Sequence, residues 1–179
     1  VTGRGYRDRT SYPGSSSAPN DVGGSHMGRG GTDGPTPGGT YGSVYRPREA
    51  GAGGGSTAGR PGGGVVEIDA QNVRLLGSAA IRANGTSTTS SSTRGGAGGS
   101  VWIRARGAVT GDGVIEARGS GVNSSSFGSG GGGAIAIELV STSGTVLSKL
   151  DARGGTNNRE GGAGTIFVQY SGESFGDLR

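Results

Sequence analysis

Asp112, Glu116 and Asp151 fall at nearby repeat positions in a repeating sequence. Two carboxylates flanking a groove can do acid–base or nucleophilic work on a glycosidic bond. That is the one catalytic reaction these residue types suggest. Each of these acids, however, lies on or beside strands where acids alternate with arginines. A surface charge ladder explains them more simply than a reaction does. His26 is the only histidine and cysteine is absent. Thiolate metal sites, cysteine nucleophiles and disulfide scaffolds are thereby excluded, and His26 has no partner with which to bind zinc. Gly111-Asp112-Gly113 occurs once, without the recurrence that a calcium-binding repeat requires. The sequence therefore predicts a non-enzyme with no catalytic residue, no cofactor and no metal.

Other residues suggest modification or contact. Asn84-Gly85-Thr86 and Asn123-Ser124-Ser125 are N-glycosylation sequons. Both lie just after the second strand of successive repeats, on one side of a stack. Residues 86–93 are an unbroken Ser/Thr run. It makes Thr86, Thr88 and Thr89 candidates for O-linked sugars, and the plainer reading is a solvated polar loop. Trp102 and Phe167 sit on an outward-facing ladder. Tyr41 and Tyr45 belong to an upstream segment with no core of its own. These four are the interface candidates, with the tyrosines expected to cover the outward aromatics in the same or a neighbouring subunit. Arg4, Arg7, Arg9, Arg29, Arg46, Arg48 and Arg60, interleaved with tyrosines, superficially resemble an Arg/Gly-rich RNA-binding segment. Asp8, Asp21, Asp33 and Glu49 offset that charge, and no nucleic-acid partner is expected.

The elements that must position these residues recur. Val66–Ala70, Val101–Ala105, Ile135–Leu139 and Ile166–Tyr170 begin 35, 34 and 31 residues apart, each after a glycine cluster. Shorter apolar segments, Ile81–Ala83, Ile115–Ala117 and Leu150–Ala152, follow the first three at 15, 14 and 15 residues. Alternate side chains of a strand point to opposite faces. Stacked copies thus line up Val66, Val101, Ile135 and Ile166, then Ile68, Ile103, Ile137 and Val168, on an apolar inner face. Outward positions read Asp69, Arg104, Glu138, Gln169 and Arg82, Glu116, Asp151. The like charges of Glu116 and Asp151 break that alternation unless Arg118 or Arg153 screens them. A weaker apolar element (Leu75 and Leu76, Val109, Val146 and Leu147) lies between the strands with slipping register. The glycine clusters suit corners, through positive φ or close backbone approach.

Composition sets the outer limits. Glycine is 44 of 179 residues, Leu, Ile, Val and Phe make about a sixth, and the formal charge is only +4. A chain kept unfolded by charge is far more charged than this. No Gly-X-Y period points to collagen, and no apolar run is long enough to insert in a membrane. Residues 1–62 have no apolar period and read as a Gly/Ser/Arg-rich extended arm, with repeats over 63–179.

The segments Gly95–Ala105 and Gly111–Gly119 resemble the glycine-rich parallel β-helix (pectate-lyase-like) repeats of large secreted or surface proteins of bacteria and protists. Gly24–Gly31 and Tyr41–Pro47 are similar to segments that precede such repeats. The resemblance implies an extracellular structural or adhesive role. The fold expected is all-β, a right-handed parallel β-solenoid of about four coils with an extended glycine-rich N-terminal arm. The function expected is an extracellular or cell-surface structural protein, a subunit or segment of a self-assembling fibre. Its partners would be copies of itself in a head-to-tail polymer, together with covalent glycans. The alternative is an adhesin passenger or a glycan-binding module.

Overall fold

The computed structural model describes residues 4–57, 59–86, 93–157 and 159–179. Among the described residues eleven short strands form: β1 (Val65–Ala70), β2 (Val73–Leu75), β3 (Ala80–Arg82), β4 (Ser100–Ala105), β5 (Ala108–Gly111), β6 (Val114–Glu116), β7 (Ala134–Leu139), β8 (Ser141–Gly144), β9 (Leu150–Asp151), β10 (Thr165–Tyr170) and β11 (Asp177–Leu178). The helical content among the described residues is one 3₁₀ turn, Val146–Ser148. The strands make a five-stranded sheet, β1-β4-β7-β10-β11, and two three-stranded sheets, β2-β5-β8 and β3-β6-β9. All pairings are parallel except β10–β11.

Register follows the apolar ladders. Val66 pairs with Val101, Val101 with Ile135, and Ile135 with Ile166; Ile68, Ile103, Ile137 and Val168 align likewise. The parallel step places identical faces above one another, so the β-branched side chains stack inward. Val101, Ile103, Ile135 and Ile137 are fully buried and join Ile115, Val109 and Val146 in one core. Burying each such side chain stabilises by about 1.5–3 kcal/mol. Ala83, Ala117 and Ala152 are buried where the third sheet turns toward the glycine clusters. In the second sheet Val73 stacks on Val109, but Thr142 takes the next place. Its hydroxyl donates to the Val109 carbonyl at 2.8 Å, and β8 is wholly exposed. Val146, expected in that strand, instead fills the core from the 3₁₀ turn.

The expected right-handed parallel β-solenoid of about four coils is corrected by this architecture. The strands fall into three separate sheets of short, mainly parallel strands, and no closed coil forms. Only the first sheet has a fourth recurring strand. After Tyr170 the chain runs Ser171-Gly172-Glu173-Ser174, with no apolar residue to begin another rung. It turns back, and β11 pairs antiparallel with β10, Leu178 opposite Phe167. The arm packs against the repeats. Its segments thread between the glycine clusters and are hydrogen-bonded to them.

This glycine layer is the second structural unit of the molecule. Gly24 N–H donates to Gly95 O at 2.8 Å, and Gly131 N–H donates to Gly24 O at 2.9 Å. Gly28 N–H reaches Gly132 O at 2.9 Å, and Gly51 N–H reaches Gly63 O at 2.8 Å. Residues of the arm thus alternate with residues of the repeats. Buried amides and carbonyls must be paired somewhere, and here they pair across segments outside the strand ladders. Side chains cannot fit between them: a Cβ on Gly130 would run into Gly96 O. The clusters are needed for close approach, with negative φ. Positive φ is used elsewhere, at the stacked turns of Gly111 (+106°) and Gly144 (+82°).

Candidate functional site

The outward face of the first sheet carries Glu67, Trp102, Ala136 and Phe167 at one register position. A strap of the arm, residues 43–49, lies over it. Val44 packs on the cluster of Trp102, Ala136 and Phe167. Tyr45 meets Phe167 edge to face at 4.9 Å. The Arg48 and Arg104 guanidiniums lie over the Trp102 ring at 4.7 and 4.5 Å, each contact worth about 0.5–2 kcal/mol. Trp102 Nε1–H donates to Glu138 Oε1 at 2.9 Å, and Ser100 Oγ–H donates to Glu49 O at 2.6 Å. Trp102 and Phe167 are therefore buried by the chain's own arm. Of the four interface candidates, Tyr45 is exposed. Tyr41 is half-buried: its ring stacks on Tyr12 at 5.7 Å, and its hydroxyl donates to Ala50 O at 2.7 Å. Burial pushes that hydroxyl well above the usual tyrosine range.

The charge ladders are ion-paired. Glu67 receives Arg48 at 3.2 Å and Arg104 at 3.0 Å, while Asp69 receives Arg104 at 3.2 Å and Arg106 at 2.6 Å. On the third sheet Arg118 bridges the two like charges, reaching Glu116 and, at 3.0 Å, Asp151. Arg82 holds Glu116 at 2.7 Å and Arg153 holds Asp151 at 2.7 Å. Burial alone would push Glu116 up, but hydrogen bonds from Asn84, Arg82 and Arg118 outweigh it and hold the carboxyl below its usual value. Asp151 is lowered in the same way, burial being overcome by Arg153 and Arg118. A general acid for sugar cleavage needs a raised carboxyl. These two are held ionised, and Asp112 is exposed. Among the described residues no group of three or more acids and histidines gathers to hold a metal, and no helix is long and apolar enough to cross a membrane.

The two sequons differ in setting. Asn84 is half-buried: its amide Nδ2–H donates to Glu116 Oε2 at 2.9 Å, and its Oδ1 accepts from Arg118 N–H at 2.8 Å. Asn123 is exposed. Thr86 is half-buried, its backbone N–H donating to Pro61 O at 3.0 Å. Thr88 and Thr89 lie outside the described residues.

With zinc excluded, the sequence leaves His26 a packed or hydrogen-bonding residue of the arm. It is completely buried, with Nδ1 donating to Gly98 O at 2.9 Å and its ring 5.0 Å from Tyr41. Nε2 has no hydrogen-bond partner among the described residues. Burial lowers its pKa to about 4. The signal that could have found it is its place among Gly23, Gly24, Gly28, Gly30 and Gly31: one bulky polar ring in a stretch too tight for side chains.

No family model matches the chain, and no curated protein or solved structure matches it either.

Proposed function

We propose that the protein is a subunit of a self-assembling extracellular fibre, growing by addition of copies to its strand edges. One observation carries this reading: among the described residues, β1, β2 and β3 each pair as strands on one side only, with β4, β5 and β6, the arm touching this edge at the Arg4–Gly63 bridge before β1. Ser100 N–H donates to Gly64 O and Arg106 N–H to Ala70 O, both at 3.0 Å. The even-numbered residues of β1 thus turn their backbone toward β4, while Val65, Glu67 and Asp69 turn theirs to the open edge. Such rows of unpaired groups are templates for another chain. At the opposite end β8 and β9 also pair on one side only, whereas β11 covers β10. A second copy of the chain supplies the matching surface: Leu150 of β9 continues the ladder of Ile81 and Ile115. Because the two ends differ, the contact is head-to-tail and builds an open filament. Exposed Asn123 would carry glycan on the flank, away from both ends.

The test is a proline at the open edge. Val65→Pro removes an outward amide that β4 does not use, so the monomer should fold while association is lost. Sedimentation of wild type and variant over a concentration series reads this directly. A wild type that stays monomeric, or a variant that associates equally well, would overturn the reading.

A further inference from the structure

We propose that His26 and Met27 together bind one soft monovalent metal ion, Cu(I), within the glycine layer. They are the only histidine and the only methionine of the chain, and they are neighbours in sequence. On an extended strand two neighbouring side chains point to opposite faces. Here the chain bends through residues 26–28, with His26 N–H donating to Gly28 O at 3.0 Å. Tyr41 N–H donates to His26 O at 3.0 Å and lays Gly42 alongside. A Cβ built on Gly42 would stand 2.9 Å from His26 Nε2 and 3.1 Å from Met27 Sδ. The two atoms therefore border one place, kept open because residue 42 is a glycine at φ +109°.

The donors and their surroundings define the ion. Nε2 has no hydrogen-bond partner among the described residues, although the ring is completely buried. Burying a polar atom unpaired costs free energy, and a bound ion would remove that cost. Nδ1–H donates to the Gly98 carbonyl. This is the contact by which a backbone carbonyl orients a metal-ligating imidazole and leaves the lone pair on the other nitrogen. Thioether sulfur selects Cu(I), and imidazole suits copper. The Glu49 carboxylate acts on the ring through space, and its sign favours a cation. Structural zinc takes typically four ligands, and among the described residues no group of three or more histidines and acids gathers to supply them. Met27 is half-buried and Gly42 is exposed, which gives the ion a way in. The rotatable bonds of the methionine let its sulfur close on the ion. The site takes no part in strand-edge pairing and does not rest on the fibre reading.

Titration of the full chain with Cu(I), kept reduced and in competition with a chromogenic chelator, tests this. One ion should bind per chain at ~10 µM. Met27→Leu conserves volume and keeps the fold, and it should weaken binding by about tenfold or more. Ag(I), a redox-inert substitute, should shift the nitrogen resonance of His26 Nε2 in the wild type, and Zn²⁺ at the same concentration should leave it in place. Absence of Cu(I) and Ag(I) binding at ~10 µM would overturn the proposal. So would binding that Met27→Leu leaves unchanged, binding that does not move the His26 resonance, or an equal response to Zn²⁺.

Discussion

His26 Nδ1 donates to the Gly98 carbonyl at 2.9 Å across 72 residues of sequence. The bond pins the arm to the glycine cluster before β4, and it fixes the tautomer: with Nδ1 protonated, Nε2 carries the lone pair and is buried with no hydrogen-bond partner among the described residues. Protonation there would place a charge in a dry backbone layer.

The pH dependence follows in sign and window. With its folded pKa near 4 against an ordinary 6.5, His26 binds its proton less readily when folded than when unfolded. Stability is therefore full above pH 6.5, declines as pH falls toward 4, and levels off below. The loss is about 3 kcal/mol. Urea unfolding from pH 7 to 4 should show it, and His26→Asn, which keeps a donor for Gly98, should flatten the slope in that window. An equal slope in the variant would contradict the assignment.

Glycine substitutions should separate close approach from turn geometry. Gly130→Ala forces a Cβ into Gly96 O, with backbone on both sides of the clash, and should cost ~3 kcal/mol or more. Gly34→Ala has open space around it but φ +113°, and should cost about 1–3 kcal/mol through backbone strain alone. Chemical denaturation of the two variants measures the difference.

The strap over Trp102 predicts a fluorescence result. Trp102, the only tryptophan, is buried under Val44 and Arg48. Its emission should be blue-shifted and resistant to acrylamide. Arg48→Ala should raise quenching severalfold while costing no more than about 1–2 kcal/mol. Free quenching in the wild type would show that the arm does not cover this face.

Glycan attachment should be unequal. Both polar atoms of the Asn84 amide are engaged by Glu116 and Arg118, whereas Asn123 is exposed. Mass spectrometry of the chain secreted from eukaryotic cells should find N-glycan on Asn123 and lost in Asn123→Gln, with Asn84 bare or nearly so.

The strand ladders could be read from the sequence because their cause is local: β-branched residues at alternate positions, repeated at a nearly constant interval. Val66, Val101, Ile135 and Ile166 stand in the register their spacing implies. The weaker element was harder because Thr142 replaces an apolar residue, leaving Val146 and Leu147, four and five residues further on, as the apolar signal. Closure was misjudged for a different reason. A glycine cluster has no side chain to show a face, so nothing in Gly95–Gly99 says that its partners are Gly24 and Gly131. Those bonds are backbone to backbone between distant segments. The arm's partners were hidden for the same reason: its order comes from shape and backbone pairing, with little apolar burial. The place shared by His26 Nε2 and Met27 Sδ depends on the bend at residues 26–28 and on Gly42, which only the folded backbone brings together.

Electron microscopy of the purified protein over a range of concentrations tests the central claim most directly. Continuation of the sheets from copy to copy predicts unbranched filaments whose strands repeat every ~4.8 Å along the axis. Val65→Pro should abolish them. Isolated short particles at every concentration, with no filament in the wild type, would contradict the account.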